Sequence, residues 1–230
     1  MQIAGFKESS LNEWDGHVSS IVWTPGCNWE CAYCHASHLI TDLDKINLIE
    51  EEKVFNYIKG KSGWVDGICI SGGEPTLQPD LVDFIKRVKE ELGIAVKLET
   101  NGSNPKVIRQ LLKDDLLDCL CLDFKQLPEN VFAINGQTGG TMDLIDSYNA
   151  AFRSNIEVEF HTTLCPPFIN VDSIAPMAEF LHNKGVWILQ QYNANEVLSP
   201  DKAGDRIYSK EETAEILAEA KKYHDDVILV

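Results

Sequence analysis

Basic residues are scarce in this 230-residue chain: Lys and Arg total 20 against 36 Asp and Glu, a net charge of −16. A field of that sign repels phosphate backbones and anionic headgroups, so it argues against binding nucleic acid or a membrane surface by charge. Long apolar runs are missing as well. No stretch approaches the roughly 20 residues needed to span a bilayer, and the opening MQIAGFKESS has no apolar signal core. These absences predict a cytoplasmic protein. There is no internal repeat, no low-complexity tract and no linker rich in Pro, Gly or Ser. The expectation is one domain over residues 1–230, with 194–230 as a C-terminal extension packing on it. At 44% hydrophobic and 24% charged residues the composition is that of a globular chain. It is long enough to bury a substantial core without staples.

Short β-branched runs alternate with amphipathic helical stretches. The predicted strands are Ser19–Thr24, Gly67–Ser71, Ala95–Thr100, Asp118–Phe124, Ile156–Thr163 and Val186–Gln191. The predicted helices lie near Leu48–Lys59, Pro79–Leu92, Pro105–Lys113, Met142–Arg153 and Ser173–Lys184. Leu81, Phe84, Ile85, Val88 and Leu92 make one helical stripe, and Gly93 stands where a left-handed C-cap belongs. Asn104 before Pro105 reads as a helix start. Ser209 with Glu212 reads as a capping box opening a helix to about Tyr223. Val227–Val230 reads as a short last strand. Strand–helix repetition implies a parallel α/β sheet curled by right-handed crossovers. Six units are too few to close the usual eight-stranded barrel, so a partial (βα)6 open barrel is expected. In such sheets ligands gather at the carboxyl ends of the strands.

Seven cysteines are an odd number, and three crowd into the loop after the first predicted strand, Thr24-Pro25-Gly26-Cys27-Asn28-Trp29-Glu30-Cys31-Ala32-Tyr33-Cys34-His35. The spacing C-x3-C-x2-C brings three thiols to one point and leaves the fourth position of a cubane cluster unfilled, where an iron can take substrate. Zinc held by the three cysteines with His35 or His38 is the alternative. Paired knuckles separated by a longer segment, the usual zinc pattern, are absent. Cys69, Cys119, Cys121 and Cys165 read as core thiols, with Cys119 and Cys121 alternating onto one strand face.

This loop, with the aromatic Tyr33 before its last cysteine, resembles the hallmark of the radical S-adenosylmethionine (SAM) superfamily. The resemblance implies that Cys27, Cys31 and Cys34 hold a 4Fe–4S cluster and that SAM chelates its open iron. Ser71-Gly72-Gly73-Glu74-Pro75 looks like the family segment that binds the methionine amino group, and Tyr33 would lie by the adenine. Glu99-Thr100-Asn101-Gly102 and Asp123-Phe124-Lys125 are similar to a pair in glycyl-radical activases. That pair binds a monovalent cation beside the cofactor carboxylate; here Glu99 replaces an Asp. Thr100, Asn101, Asp123 and Lys125 would then face the cofactor. His161 stands where that pattern has Arg, which removes a fixed charge and a bidentate fork. Gln190 and Asn193 fall in the segment that resembles the adenine rim.

The Tyr-Cys-His ending is similar to that of the activases, although Ala36 replaces their usual Asn. The stretch Ile3–Leu11 through Asp15-Gly16 looks like the start of activating proteins for anaerobic ribonucleoside-triphosphate reductase. The resemblance implies reductive cleavage of SAM and hydrogen abstraction from a glycine of a partner enzyme, fed by a flavodoxin- or ferredoxin-type electron donor. A radical enzyme acting on a small molecule, such as 7-carboxy-7-deazaguanine synthase, is the alternative. Its glycine-rich N-terminal segment is not visible here. A non-enzymatic zinc module is the reading from another class.

Overall fold

A computed structural model describes residues 1–137 and 139–230. Eight strands form one sheet whose spatial order is the order of the sequence. They are β1 (Gly5–Ser10), β2 (Ser19–Thr24), β3 (Gly67–Gly72), β4 (Ala95–Thr100), β5 (Cys119–Asp123), β6 (Glu157–Leu164), β7 (Val186–Gln191) and β8 (Val227–Leu229). Strands β2 to β8 are parallel and β1 is antiparallel to β2. The linear order leaves the sheet open, as six βα units require. The connecting helices are α1 (His38–Thr41), α2 (Glu51–Gly60), α3 (Leu81–Arg87), α4 (Pro105–Lys113), α5 (Phe132–Asn135), α6 (Thr141–Arg153), α7 (Val171–Phe180), α8 (Pro200–Ala203) and α9 (Lys210–Ala220).

Local chemistry sets the helix ends. A π-turn over Val88–Leu92 extends α3 to Gly93, whose φ of 64° ends it in the left-handed region. The expected capping box opens α9, with Ser209 taking the amide of Glu212 and Glu212 reaching back. Two expected starts need correction. Helix α7 begins at Val171 because Asn170 and Ser173 form a reciprocal cap ahead of the expected Ser173 start. Asn104 makes no side-chain cap for α4; its Nδ2 donates instead to the Thr76 carbonyl at 3.0 Å.

The two sheet faces differ in chemistry because successive side chains alternate. One face packs Val22, Ile68, Leu98, Leu120, Phe160 and Leu189 against helix residues such as Phe55, Phe84, Ile108, Leu144 and Met177, all buried. Each such side chain contributes on the order of 1.5–3 kcal/mol of burial. The inner face carries Cys69, Lys97, Glu99, Cys119, Cys121, Glu159, His161 and Gln190 in cross-strand register. Trp14 plugs its lower end, packing on Ile21, Cys69 and Cys119 while Nε1 donates to Glu157 at 3.1 Å. The segment after β7 joins the same sheet through β8 and the same core through Tyr208, Ile216, Ala220 and Val227. Among the described residues, no helix is long and apolar enough to cross a membrane.

Candidate active site

The cysteine loop leaves β2 and is clamped from three sides. The Gly26 carbonyl takes the Glu74 amide at 2.8 Å, and Gly73 N donates to the Thr24 carbonyl at 2.8 Å. Glu30 and Ala32 donate to the carbonyls of Asn135 and Ile134, both at 3.0 Å, which ties the loop to α5. From the C-terminal segment, Leu198 and Ser199 donate to the carbonyls of Cys34 and Ala32. The clamp closes over a cavity of about 250 Å³ at the carboxyl ends of the strands. Cys27, Cys31 and Cys34 all line it, with Tyr33, Gly72, Gly73, Asn101, Asp123, Lys125 and Gln190.

The glycines are there for contact. A Cβ on Gly73 would stand 2.0 Å from the Gly26 carbonyl oxygen, and one on Gly72, whose φ is 129°, would stand 2.2 Å from the Thr24 nitrogen. Only glycine lets this turn lie against the cysteine loop. Glu74 is fully buried behind the turn and does not line the cavity. Its Oε1 accepts from the Thr76 amide at 3.0 Å, the Thr76 hydroxyl at 2.5 Å and the Thr100 hydroxyl at 2.6 Å, and its Oε2 accepts from the Asn101 amide at 2.8 Å. Burial still pushes this carboxyl above the usual range, against those hydrogen bonds. Glu74 and Thr100 thus lock the β3 turn to the end of β4. Asn101 does face the cavity, and its Nδ2 lies 3.0 Å from Asn28 Oδ1 and 3.8 Å from Cys27 Sγ.

Across the cavity Lys125 Nζ pairs with Asp123 at 2.9 Å and stands 5.6 Å from the Tyr33 ring. Burial works against the Lys125 charge, but Asp123, Tyr33 and Cys31 together outweigh it and hold the ammonium well above its ordinary value. Glu99 lies outside the cavity lining, 4.0 Å from Lys97. Burial raises its carboxyl, His161 and Lys97 oppose that, and Asp123 adds to it. His161 is also set back from the wall, between Glu159 at 2.9 Å and Gln190 at 3.3 Å. Asn193 closes its own turn by accepting from the Asn195 amide. Trp29 and Thr163, to which the sequence assigned no role, also line the cavity, as does His35, the ligand of the zinc alternative. Thr163 shares the strand face of His161 two residues on, so strict alternation from His161 would have found it.

The donor set distinguishes the metal readings. His35 lines the cavity with the three cysteines, while His38 faces a separate apolar pocket beside Trp23 and Leu39. Among the described residues, Cys121 with Glu159 and His161, and Cys119 with Glu157 and Glu159, bring their ligand atoms within 4.8 Å of one another. Cys27, Cys31 and Cys34 do not all lie within 4.8 Å of one another, whereas a single tetrahedral zinc, with Zn–S near 2.3 Å, holds its sulfurs about 3.8 Å apart. The Cys121 group has its cation already: Lys97 Nζ lies 2.6 Å from Glu159.

Burial pushes the Cys27 thiol up to about 11 and Cys31 up to about 12, and raises Cys34 as well. Such thiols give up their protons to a strong Lewis acid such as iron. The Tyr33 hydroxyl is buried beside the cavity without a partner. Three convergent thiols, a glycine-only approach and this unpartnered donor fit a cubane cluster with a chelating organic cofactor.

The family model described as the radical SAM superfamily matches residues 21–181. The chain belongs to the radical SAM superfamily. A relative named "Putative glycyl-radical enzyme activating enzyme MJ1227", from Methanocaldococcus jannaschii, is 29% identical over 99% of this chain and 95% of its own length. A GTP 3′,8-cyclase from Nautilia profundicola is 28% identical over 72% of this chain, which spans about half (52%) of that protein. A 7-carboxy-7-deazaguanine synthase from Clostridium acetobutylicum is 33% identical over 38% of this chain and 39% of its own length. Among solved structures, Streptococcus suis SuiB bound to S-adenosylmethionine superposes with a TM-score of 0.70 at 17% identity, over 91% of this chain and 51% of SuiB. That likeness carries the open radical SAM fold. For this radical SAM enzyme the family implies a 4Fe–4S cluster and SAM, with Cys27, Cys31 and Cys34 as the fitting ligands.

Proposed function

We propose that this radical SAM enzyme is a glycyl-radical activase whose partner is an anaerobic ribonucleoside-triphosphate reductase. The observation that carries the reading is the extent of the match to MJ1227, nearly end to end in both chains. The cyclase and synthase matches run over smaller parts. The opening Ile3–Leu11, now strand β1 with its flanks, supports the choice of reductase as partner.

A 4Fe–4S cluster held by Cys27, Cys31 and Cys34, fed by a flavodoxin- or ferredoxin-type donor, would supply the one electron needed to cleave bound SAM reductively, and SAM would supply the hydrogen-abstracting group for the partner's glycine Cα. The chain's own residues place these parts. Cys27, Cys31 and Cys34 hold iron. Gly72 and Gly73 offer bare backbone to the cofactor's amino group, with Glu74 fixing their turn from behind. Asn101, Asp123 and Lys125 supply a donor, an acceptor and a fixed positive charge to its polar end. Tyr33 closes the wall over the base. Glu99 and Asp123, at adjacent strand ends, form a candidate site for a monovalent cation, and the ion dependence of cofactor cleavage tests it.

The test of the reading uses a partner reductase labelled with α-deuterated glycine. Deuterium appearing in the 5′-deoxyadenosine product, at a rate that requires the partner, supports the activase. Deuterium-free product formed rapidly with a nucleotide and no partner replaces it with the small-molecule reading, which the partial match to GTP 3′,8-cyclase favours.

A further inference from the structure

The inner sheet face carries a chain of hydrogen bonds whose polarity is fixed from its buried end. Lys97 is 1% exposed and has donors only. Its Nζ donates to the Glu13 carbonyl at 2.7 Å and to Glu159 Oε2 at 2.6 Å. Glu159 is buried as well. Burial pushes its carboxyl up, but hydrogen bonding from His161 and the Lys97 charge outweigh that and hold it below the usual range. An ionised carboxylate only accepts.

His161 Nε2 lies 2.9 Å from the same Oε2, so Nε2 carries a proton. In the neutral ring Nδ1 is then a bare acceptor. Gln190 Nε2 stands 3.3 Å from that Nδ1, and Gln190 lines the cavity where His161 does not. The two side chains are diagonal neighbours on one face, His161 opposite Ile188 and Gln190 two residues on. An amide that gives its N–H₂ to Nδ1 turns its carbonyl the other way.

We infer that His161 is a positioning residue: it holds the Gln190 amide with Oε1 toward the cavity, so this wall takes an N–H or O–H donor from the bound ligand. The inference rests on SAM occupying the cavity and does not depend on which partner the radical serves. Reversing the ring's polarity would put N–H₂ on the wall and select an acceptor instead. His161 thereby sets a hydrogen-bond preference at a wall it does not touch.

The experiment is binding of S-adenosyl-L-homocysteine to the cluster-loaded protein, with ¹⁵N spectra of histidine-labelled protein alongside. Wild type is expected to show the Nε2–H ring with bare Nδ1. Gln190→Leu is expected to lose about tenfold in affinity, the scale of one net hydrogen bond. His161→Phe, which lets the amide turn, loses most of that factor. His161→Gln restores it, since its amide gives N–H to Glu159 and carbonyl to Gln190. A purely structural His161 would move the Tm of both His161 variants without separating their affinities. A proton on Nδ1, or His161→Phe binding as wild type does, overturns the inference. No reductase is present, so failure here leaves the activase reading standing, and failure of that reading leaves this one.

Discussion

A methyl group on Gly73 would overlap the Gly26 carbonyl oxygen at 2.0 Å, and neither backbone can yield without moving Cys27. Gly73→Ala is therefore expected to push the cysteine loop off the β3 turn. Iron content and SAM cleavage of anaerobic protein check this. Cleavage should fall on the order of a hundredfold, the scale of a small misplacement at a reacting centre. Gly60→Ala, where a Cβ meets open space, should leave both unchanged. Equal effects from the two would mean that close approach is not what Gly73 supplies. At this scale the motifs were legible where the residues are contiguous, as in Cys27–Cys34 and Ser71–Pro75. The set-back positions of Glu74 and His161 were not. They follow from bonds to Thr100, Glu159 and Gln190, which lie 26, 2 and 29 residues away and converge only in the folded sheet.

Helix α7 follows β6 and packs its buried Ile174, Met177 and Ala178 on the sheet, so its start helps hold the strand that carries His161. Asn170 takes the Ser173 amide at 3.0 Å, and the Ser173 hydroxyl answers the Asn170 amide at 3.1 Å. Asn170→Ala should cost about 1 kcal/mol and lower Tm by about 2–4 °C for a chain of this length. Calorimetry measures it, and an unchanged Tm would show that the box does not stabilise the helix. The parallel strands β2 to β7 were legible because each is a β-branched run, continuous or alternating with polar residues, between turn residues, and β8 because it is a short apolar run. Strand β1 was not. Its sequence GFKESS has no alternation, and it is an edge strand buried chiefly at its end. A neighbour, not a pattern, makes it a strand.

Across the whole molecule, the Lys97–Glu159 pair joins β4 to β6 over β5, and both side chains are almost fully buried. Charged residues alternating along a strand read as a solvated face; here a curled sheet turns that face inward, which is why the inner network was illegible in the sequence. Removing one partner strands the other charge, so Lys97→Met should destabilise by about 3–5 kcal/mol near neutral pH. The folded Glu159 carboxyl is depressed, so its contribution is present above the ordinary carboxylate value near about 4.3 and lost as pH falls through the folded value. The difference between wild type and Lys97→Met in denaturant titrations should shrink at acid pH; a constant difference would contradict a charge-based role. On the proposed function, the cavity serves a glycine on another protein. Electron paramagnetic resonance of the reduced enzyme with SAM and its cognate anaerobic ribonucleotide reductase reads this out. A carbon radical split into a doublet by the remaining α-hydrogen is expected, requiring both proteins and collapsing in air. No radical on the reductase, together with rapid SAM cleavage on adding a nucleotide alone, would contradict it.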